Sequence, residues 1–303
     1  MTSRSAVGVV LSVAAVLAVA AYRRSDDQSR RVQVGGRDRT YVLHVPPDTR
    51  GPRPLVVLLH GRLGDGAGEA RLSNFDPIAD SVGALVAYPD GYRRSWADGR
   101  LGTPADKQGV DDVAFIRALV ADVASHWPVD SSRIYVAGMS NGAFMTERLI
   151  CDASDLIAAA GVVAGTLSDS LAARCRPARP VPVILMNGTT DPLVPYAGGD
   201  LSGGRGHALG VAETVARWVT WNGCTAAPER RALPDTAHDG TTVTEERYGR
   251  CRDHADVVEV TIAGGGHAWP GGRQYLPVRY IGVSSRNLDG SRTLWTFFAE
   301  HRR

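Results

Sequence analysis

Short apolar runs alternate with helical segments along most of the chain, and this alternation constrains the fold more than any other feature. Runs such as Pro54–Leu59 and Ala84–Tyr88 are apolar without interruption, which is typical of strands covered on both faces. Strands that alternate with helices predict one mostly parallel sheet with flanking helices. The eight regular strands are expected at residues 31–34, 40–45, 54–59, 84–88, 133–137, 158–164, 181–186 and 256–262, with an additional edge strand at 242–248. Helices are expected at residues 111–127, 142–151, 211–221 and 291–301.

The N-terminus carries one basic residue, Arg4, and then an apolar run from Ala6 to Ala21. A run of this kind that ends in small residues is typical of a secretory signal peptide. An uncleaved anchor is the alternative, since Arg23 and Arg24 follow the run directly, although the run spans roughly 24 Å and the hydrocarbon core of a bilayer is ~30 Å thick. We therefore expect a signal peptide or anchor at residues 1–21, a short linker at 22–31 and a single domain at 32–303. The protein is expected to be secreted or held in the cell envelope, with membrane contact only through an uncleaved N-terminal segment.

The four cysteines point to the same oxidising location. Cys151 and Cys175 are close in sequence, as are Cys224 and Cys251. An even count in an exported chain suggests two disulfides, and four cysteines allow three pairings. The clustering favours Cys151–Cys175 and Cys224–Cys251. Zinc binding and free thiols are the alternatives, but no CxxC or HxxxH spacing supports a metal site, and we expect none.

One motif carries chemistry. Gly138-Met139-Ser140-Asn141-Gly142 matches G-x-S-x-G, the turn that presents a nucleophilic serine between a strand and a helix. The pattern alone is common, but here an apolar strand precedes it and a helical pattern follows. The turn is so tight that only small residues fit beside the serine, which explains both glycines. The alternative is a glycine-rich turn in which the serine only caps the helix.

A serine hydroxyl needs a histidine base and an acid that orients the histidine. His267 follows the last regular strand in a loop with three preceding glycines, and Asp191 follows the seventh strand in a loop that Pro192 and Pro195 stiffen. Asp before Pro is also common in ordinary turns. Ser140 follows the fifth strand, so the three residues occur in the order and at the strand ends where an α/β-hydrolase fold holds its triad. We predict that Ser140, His267 and Asp191 form this triad.

The oxyanion of the reaction would be bound by backbone N–H groups. One is expected from Asn141, the residue after the nucleophile, and one from the loop after the third strand, where Arg62 follows His60-Gly61.

The composition argues against nucleic-acid binding. Lys and Arg total 34 and Asp and Glu total 32, so the chain lacks the basic excess of a nucleic-acid-binding protein. No motif for a cofactor occurs, and we expect none to be required. The partner is expected to be a small-molecule or polysaccharide-linked ester, and the sequence leaves the oligomeric state open.

Eight motifs together resemble the esterases related to polyhydroxybutyrate depolymerase, feruloyl esterase and the LpqC-like proteins. They extend from about Tyr41 to Phe298: LLHGR, YPDG, SWADGR, VDDVAFI, GMSNGAFM, GTTDPLVPY, WNGC and GGGHAWPG. The resemblance implies an α/β-hydrolase fold, cofactor-free ester hydrolysis and the triad named above, and it supports the same cysteine pairing. The lipoprotein cysteine of LpqC-like proteins is missing here, so the resemblance does not imply that a lipid attached to a cysteine anchors this protein to the membrane.

The resemblance also implies that Trp96 and Trp269 lie near the site, where they would form aromatic walls of an open, shallow pocket; packing within loops is the alternative. The first functional hypothesis is an exported serine esterase for short acyl, feruloyl or acetyl esters. The alternatives are a polyester depolymerase, a serine peptidase and a non-catalytic surface protein on the same fold. We see no separate polymer-binding module or helical lid, and therefore expect short acyl or hydroxycinnamoyl esters to be preferred.

Overall fold

The computed structural model describes residues 28–47 and 51–303. Its strands are β1 (Gln28–Val34), β2 (Arg37–His44), β3 (Arg53–Leu59), β4 (Leu85–Pro89), β5 (Val129–Met139), β6 (Ala159–Val163), β7 (Val183–Gly188), β8 (Gly199–Asp200), β9 (His207–Ala208), β10 (Glu229–Ala232), β11 (Thr242–Tyr248) and β12 (Val257–Ala263). Its helices are α1 (Gly66–Ser73), α2 (Asp76–Val82), α3 (Pro104–Lys107), α4 (Asp112–His126), α5 (Asn141–Asp152), α6 (Asp169–Arg174), α7 (Val211–Asn222), α8 (Val278–Ile281) and α9 (Gly290–Ala299).

The main sheet has ten strands in the described part of the chain, in the order β1-β2-β4-β3-β5-β6-β7-β12-β11-β10. The strands from β4 to β12 in this order run parallel, and antiparallel strands extend the sheet at both edges. The predicted mostly parallel sheet is therefore present, with ten strands instead of eight regular strands and one edge strand. The additional strand, β10, reads Glu-Arg-Arg-Ala and is exposed throughout, so it carries no apolar pattern. It pairs with β11, which is consequently not the edge of the sheet.

Both faces of the sheet are covered by apolar side chains. In β3, Leu55 and Val57 join one buried cluster and Val56 and Leu58 join the other. The first cluster includes side chains of α4, α5 and α7, and the second includes side chains of α2 and α9. The continuous apolar runs of the sequence are thus explained by helices on both faces.

The two predicted disulfides are present. Cys151 near the end of α5 is bonded to Cys175, which follows α6, and Cys224 after α7 is bonded to Cys251 after β11. Each bond closes a short stretch of chain, of 24 and 27 residues respectively. Disulfides of this kind persist in oxidising compartments.

The N-terminal boundary differs from the prediction. The predicted signal peptide or anchor at 1–21 lies outside the described residues, as does most of the predicted linker. Residues 28–31 of that linker belong to β1, which pairs with β2 along its whole length. Their alternating exposed and half-buried pattern explains why they look like a polar linker in the sequence. None of the helices in the described ranges has the length and apolar character needed to cross a membrane.

Candidate active site

Ser140 lies at the turn between β5 and α5 in a strained backbone conformation, with φ 57° and ψ −118°. Non-glycine residues adopt positive φ rarely, and strain of this kind concentrates at functional sites. The flanking glycines are required by space. A Cβ at Gly142 would lie 2.0 Å from the carbonyl oxygen of Leu59, and a Cβ at Gly138 would lie 2.5 Å from the carbonyl carbon of Gly142.

The Ser140 side chain does not cap α5. The alternative in which the serine hydroxyl only caps the helix is therefore not supported. The backbone is held in place, since the Ser140 N–H donates to Val163 O in β6 at 2.9 Å. Among the described residues the Ser140 hydroxyl has no hydrogen-bond partner, and the turn presents it from a fixed position.

Asp191 and His267 form a hydrogen-bonded pair. The His267 Nδ1 lies 2.7 Å from Asp191 Oδ2, and both side chains are nearly buried, at 3% and 2% exposed. The other carboxylate oxygen of Asp191 accepts the N–H groups of Leu193 at 2.8 Å and Val194 at 2.9 Å. The carboxylate is therefore aimed by its own loop, and it holds the imidazole with Nε2 as the nitrogen that remains for proton transfer.

The three residues come from the same edge of the sheet, because β5, β7 and β12 run parallel and each residue follows the carboxyl end of its strand. The loops that carry Asp191 and His267 are tied together, since the Thr190 N–H donates to Gly265 O at 2.9 Å. In the part of the chain that is described, no hydrogen bond joins Ser140 Oγ to His267. The structure thus forms the Asp191–His267 pair directly and places the serine at the end of β5, which β6 separates from β7.

The loop after β3 packs directly against Ser140. A Cβ at Gly61 would lie 3.5 Å from Ser140 Cβ, which is van der Waals contact. Among the described residues, the backbone N–H groups of Arg62 and Asn141 have no protein acceptor. Free N–H groups beside a nucleophile are what an oxyanion hole requires.

His60 fixes this loop. Its Nδ1 donates to Gly61 O at 2.7 Å and its Nε2 accepts the Gly91 N–H at 2.9 Å, a pattern that only the neutral ring satisfies. The side chain is 1% exposed, and burial lowers the pKa of His60. The imidazole is therefore a neutral structural bracket for the loop and is not a second base.

The expected role of the two tryptophans is corrected by the structure. Trp96 and Trp269 are both 0% exposed, so neither is a wall of an open pocket. The Trp96 indole donates to His60 O at 2.8 Å, and the Trp269 indole donates to Ser291 Oγ at 3.0 Å. Each ring is occupied by packing and a hydrogen bond within the protein, which was the alternative interpretation.

Trp96 instead connects the two candidate oxyanion-hole segments. Its N–H donates to Asn141 Oδ1 at 2.9 Å, and the Asn141 amide donates to Trp96 O and to Asp98. Through its indole the same tryptophan holds the backbone of His60. From the sequence only the backbone N–H of Asn141 was expected to act, and this side-chain role was not predicted; the motif SWADGR is the one signal that could have indicated it.

Six exposed apolar side chains lie on three segments: the loop after β3, the loop that follows Arg100, and residues 275–280, which include part of α8. They are between 42% and 74% exposed: Leu63, Leu101, Tyr275, Leu276, Val278 and Tyr280. Tyr275 is directly connected, since its hydroxyl donates to His267 O at 3.0 Å, and burial of that hydroxyl together with the negative charge of Asp191 raises its pKa. The surroundings of the site are therefore partly apolar, although the residues differ from those predicted.

Two other features of the described residues do not contribute to this site. A surface groove of about 700 Å³ lies between β10, β11 and α9, and none of Ser140, Asp191 and His267 lines it. Within residues 28–47 and 51–303, no group of three or more His, Cys, Asp or Glu side chains is arranged to hold a metal ion.

Known proteins resemble the chain in sequence and in fold. Residues 39–198, just over half of the chain, match the family described as Esterase PHB depolymerase. NocK of Nocardia uniformis subsp. tsuyamanensis, named as an esterase, is 32% identical over 281 residues, which are 89% of this chain and 81% of that protein. Feruloyl esterase B of Piromyces equi is 31% identical over 241 residues, which are 76% of this chain but only 42% of that longer protein.

A solved structure of an acetyl xylan esterase from Aspergillus awamori matches with a TM-score of 0.61 at 17% identity, covering 90% of this chain and 99% of that one. At this identity the likeness bears on the fold. It confirms the predicted α/β-hydrolase fold.

Proposed function

Because the chain belongs to the PHB depolymerase family of esterases, we propose that it is an exported serine carboxylic-ester hydrolase with Ser140, His267 and Asp191 as its triad. The observation that carries the proposal is the buried 2.7 Å bond between His267 and Asp191 at the sheet edge where the strained Ser140 turn lies. A surface protein without activity has no need for a buried acid–imidazole pair beside an unengaged serine.

The mechanism follows from these positions. Ser140 Oγ attacks the carbonyl carbon of the ester while His267 Nε2 takes the hydroxyl proton, and Asp191 stabilises the imidazolium that forms. The oxyanion of the tetrahedral intermediate accepts the N–H groups of Asn141 and Arg62. Collapse of the intermediate breaks the bond to the alcohol, which leaves with the proton from His267. Water, deprotonated by His267, then attacks the acyl-enzyme and releases the carboxylic acid and free Ser140.

Export is supported by two independent observations. The apolar run at residues 6–21 has the features of a secretory signal. The disulfides Cys151–Cys175 and Cys224–Cys251 belong to an oxidising compartment. Four free thiols in protein isolated from its native location would contradict this part of the proposal.

The substrates are short acyl, feruloyl or acetyl esters, including those linked to polysaccharides. Support comes from a relative named as a feruloyl esterase and a structural neighbour named as an acetyl xylan esterase. We expect kcat/KM for p-nitrophenyl esters to be highest for short acyl chains and methyl ferulate to be hydrolysed. An optimum at long chains with interfacial activation would instead indicate a lipase.

The triad is tested by Ser140→Ala and by labelling with a fluorophosphonate probe. We expect the variant to lose at least ~10³ in kcat and to lose labelling, because only binding and oxyanion stabilisation remain. Ser125→Ala, which changes an exposed hydroxyl on α4, is the matched control and should behave as wild type. Full activity in Ser140→Ala would refute the assignment.

A polyester depolymerase is the second candidate, and the six exposed apolar side chains around the site favour it. Apolar groups at the surface would contact a hydrophobic polymer chain next to the nucleophile. A double change of Leu63 and Leu101 to Ser should lower hydrolysis of a polyhydroxybutyrate film more than hydrolysis of p-nitrophenyl acetate. Val82→Ser, at an exposed valine on α2, is the control. No turnover of the film by wild type would exclude this candidate.

A further inference from the structure

A buried carboxylate contacts the residue after Ser140 and takes no part in the proposed mechanism. Asp98 is 0% exposed. Its Oδ2 accepts the Arg100 guanidinium, with Nη2 at 2.6 Å and Nε at 3.0 Å, and also the side-chain amide of Asn141. Its Oδ1 accepts the Arg100 N–H at 3.1 Å. A carboxylate removed from water is costly unless it is paired and hydrogen-bonded, and these contacts meet that requirement.

The Asp98–Arg100 pair contacts the first turn of α5 at two points. Asp98 accepts from the Asn141 side chain, and the Arg100 guanidinium lies 4.0 Å from the ring centre of Phe144. A guanidinium over the face of an aromatic ring is attracted to it electrostatically. The Phe144 N–H donates to Ser140 O at 3.0 Å, so both contacts bear on the turn that carries Ser140.

The segment that carries Asp98 is itself fixed. The Ala97 N–H donates to Asp112, another fully buried carboxylate, at 2.7 Å. The Trp96 N–H donates to Asn141 Oδ1 at 2.9 Å. The Asn141 amide is therefore held at its oxygen by Trp96 and at its nitrogen by Asp98, and the residue is 2% exposed.

The Ser140 turn needs this support because it is strained. A non-glycine residue with a φ of 57° persists in that conformation only where its surroundings over-determine it. The Asn141 N–H, one of the two proposed oxyanion donors, is bonded to the same Cα as the side chain that Asp98 holds. Holding this side chain therefore fixes the direction of the N–H. Direction matters, because a misplacement of ~1 Å in an active site can cost ~10²-fold in rate.

We propose that Asp98, paired with Arg100, is a positioning residue that holds the Asn141 N–H in place for the oxyanion. This inference rests on the proposed esterase function, because the oxyanion forms only in that reaction. Asp98 neither touches the substrate nor exchanges a proton. The contribution of the pair is realised when negative charge develops on the ester oxygen, so its loss lowers kcat and kcat/KM together and leaves KM unchanged.

Asp98→Asn tests this role, because the amide keeps the size of the side chain but lacks the charge that holds Arg100. With p-nitrophenyl acetate we expect kcat per folded molecule to fall about 10–100-fold, somewhat less than the loss of a whole oxyanion donor, with KM within about twofold of wild type. The folded fraction is measured by tryptophan fluorescence. Asp130→Asn is the matched control and should keep wild-type kcat. It breaks an ion pair of the same length, 2.6 Å to Arg133, at the end of β5 opposite to Ser140.

A double-mutant cycle shows whether Asp98 acts through Asn141. Asn141→Ala removes the side chain but keeps the backbone N–H, and it should lower kcat by a similar factor. In the Asn141→Ala background, Asp98→Asn should then have almost no further effect on kcat. Asn141→Ala also leaves the Asp98–Arg100 pair intact, so it tests the proposal even where Asp98→Asn does not fold.

The outcomes separate this inference from the proposed function. Wild-type kcat in Asp98→Asn, a rise in KM alone, or full additivity of the two changes refutes the positioning role while the esterase function stands. If Asp98→Asn does not fold, wild-type kcat in Asn141→Ala refutes it, and a fall in kcat at unchanged KM supports it. If wild type neither hydrolyses p-nitrophenyl acetate nor reacts with the fluorophosphonate probe, the proposed function itself fails.

Discussion

A buried glutamate on α5, the helix that follows Ser140, makes the stability of this protein dependent on pH. Glu147 on α5 is 0% exposed. One carboxyl oxygen accepts the indole N–H of Trp218 on α7 at 2.8 Å, and the other has no partner among the described residues. Burial raises the pKa of Glu147 to about 8, and the Trp218 hydrogen bond only partly opposes this rise. The carboxyl is therefore neutral in the folded protein at pH 7.

The direction of the effect follows from proton binding. Between the ordinary carboxyl pKa of about 4.5 and the folded value of about 8, the folded state holds a proton that the unfolded state has released. Stability from this group is therefore fully present below pH 4.5 and falls as pH rises through this interval, by about 1.4 kcal/mol per pH unit. From pH 5.5 to 7.5 the loss is about 3 kcal/mol.

Glu147→Gln removes this dependence, because the amide is neutral at every pH and its oxygen can still accept the Trp218 N–H. The difference in unfolding free energy between variant and wild type should shift by about 3 kcal/mol in favour of the variant from pH 5.5 to 7.5. Glu69, a second buried carboxyl whose pKa burial raises to about 8, contributes equally to both proteins and cancels.

The assay is urea unfolding with intact disulfides, followed by tryptophan fluorescence at pH 5.5, 6.5 and 7.5. With a slope near 3 kcal/mol/M, the midpoint of the variant relative to wild type should move by about 1 M over this range. Glu213→Gln, at a half-exposed position on α7 where the carboxylate pairs with Arg217, should follow wild type at each pH. A difference between Glu147→Gln and wild type that stays constant within about 0.5 kcal/mol across the range would refute the reasoning.

Three further outcomes are expected. Asp191→Asn should lower kcat by about two to four orders of magnitude with p-nitrophenyl acetate, because an amide does not stabilise the imidazolium; wild-type kcat would contradict the role of the acid. Gly142→Ala should reduce soluble yield and lower the melting temperature, because its Cβ would lie 2.0 Å from Leu59 O; an unchanged melting temperature would show that the turn tolerates a side chain. Replacing both Cys151 and Cys175 by Ser opens a loop of 24 residues and should cost about 3 kcal/mol of stability, or a fall of about 10 °C in a thermal scan; no shift would show that the bond leaves the unfolded chain unconstrained.

The central strands and the long helices could be predicted from the sequence because their signals are local. A continuous apolar run such as Pro54–Leu59 is readable without its neighbours, and so is the helical period of α4. The two glycines of the serine turn are equally local, since the chain must bend sharply within five residues. Strand β10 was missed for the complementary reason: its four residues are polar and exposed, and only pairing with β11 makes them a strand.

The candidate triad could be proposed from the sequence, because parallel strands bring their carboxyl ends to one edge of the sheet and the residue types at those ends can be read in order. The partners of Trp96 were not predictable. They are His60 and Asn141, which lie 36 and 45 residues away, so burial of the ring depends on contacts that no local pattern contains. From the sequence alone, a tryptophan in a polar loop is expected to be exposed, and only the contacts with His60 and Asn141 show that it is buried.

Charge shows the same division. The sequence by itself determined a nearly neutral chain with a strand–turn–helix serine motif and two pairs of cysteines. Only the tertiary structure decided that the Asp98 carboxylate is buried 2.6 Å from Arg100 and that the Glu147 carboxyl is buried against the Trp218 indole. The net charge of a sequence is a sum that ignores the distances between the charged groups. The electric field at a site depends on which charges lie within a few ångströms and on how well water screens them. Periodicity and turn chemistry act between neighbours in the chain, and packing and electrostatics act between neighbours in space.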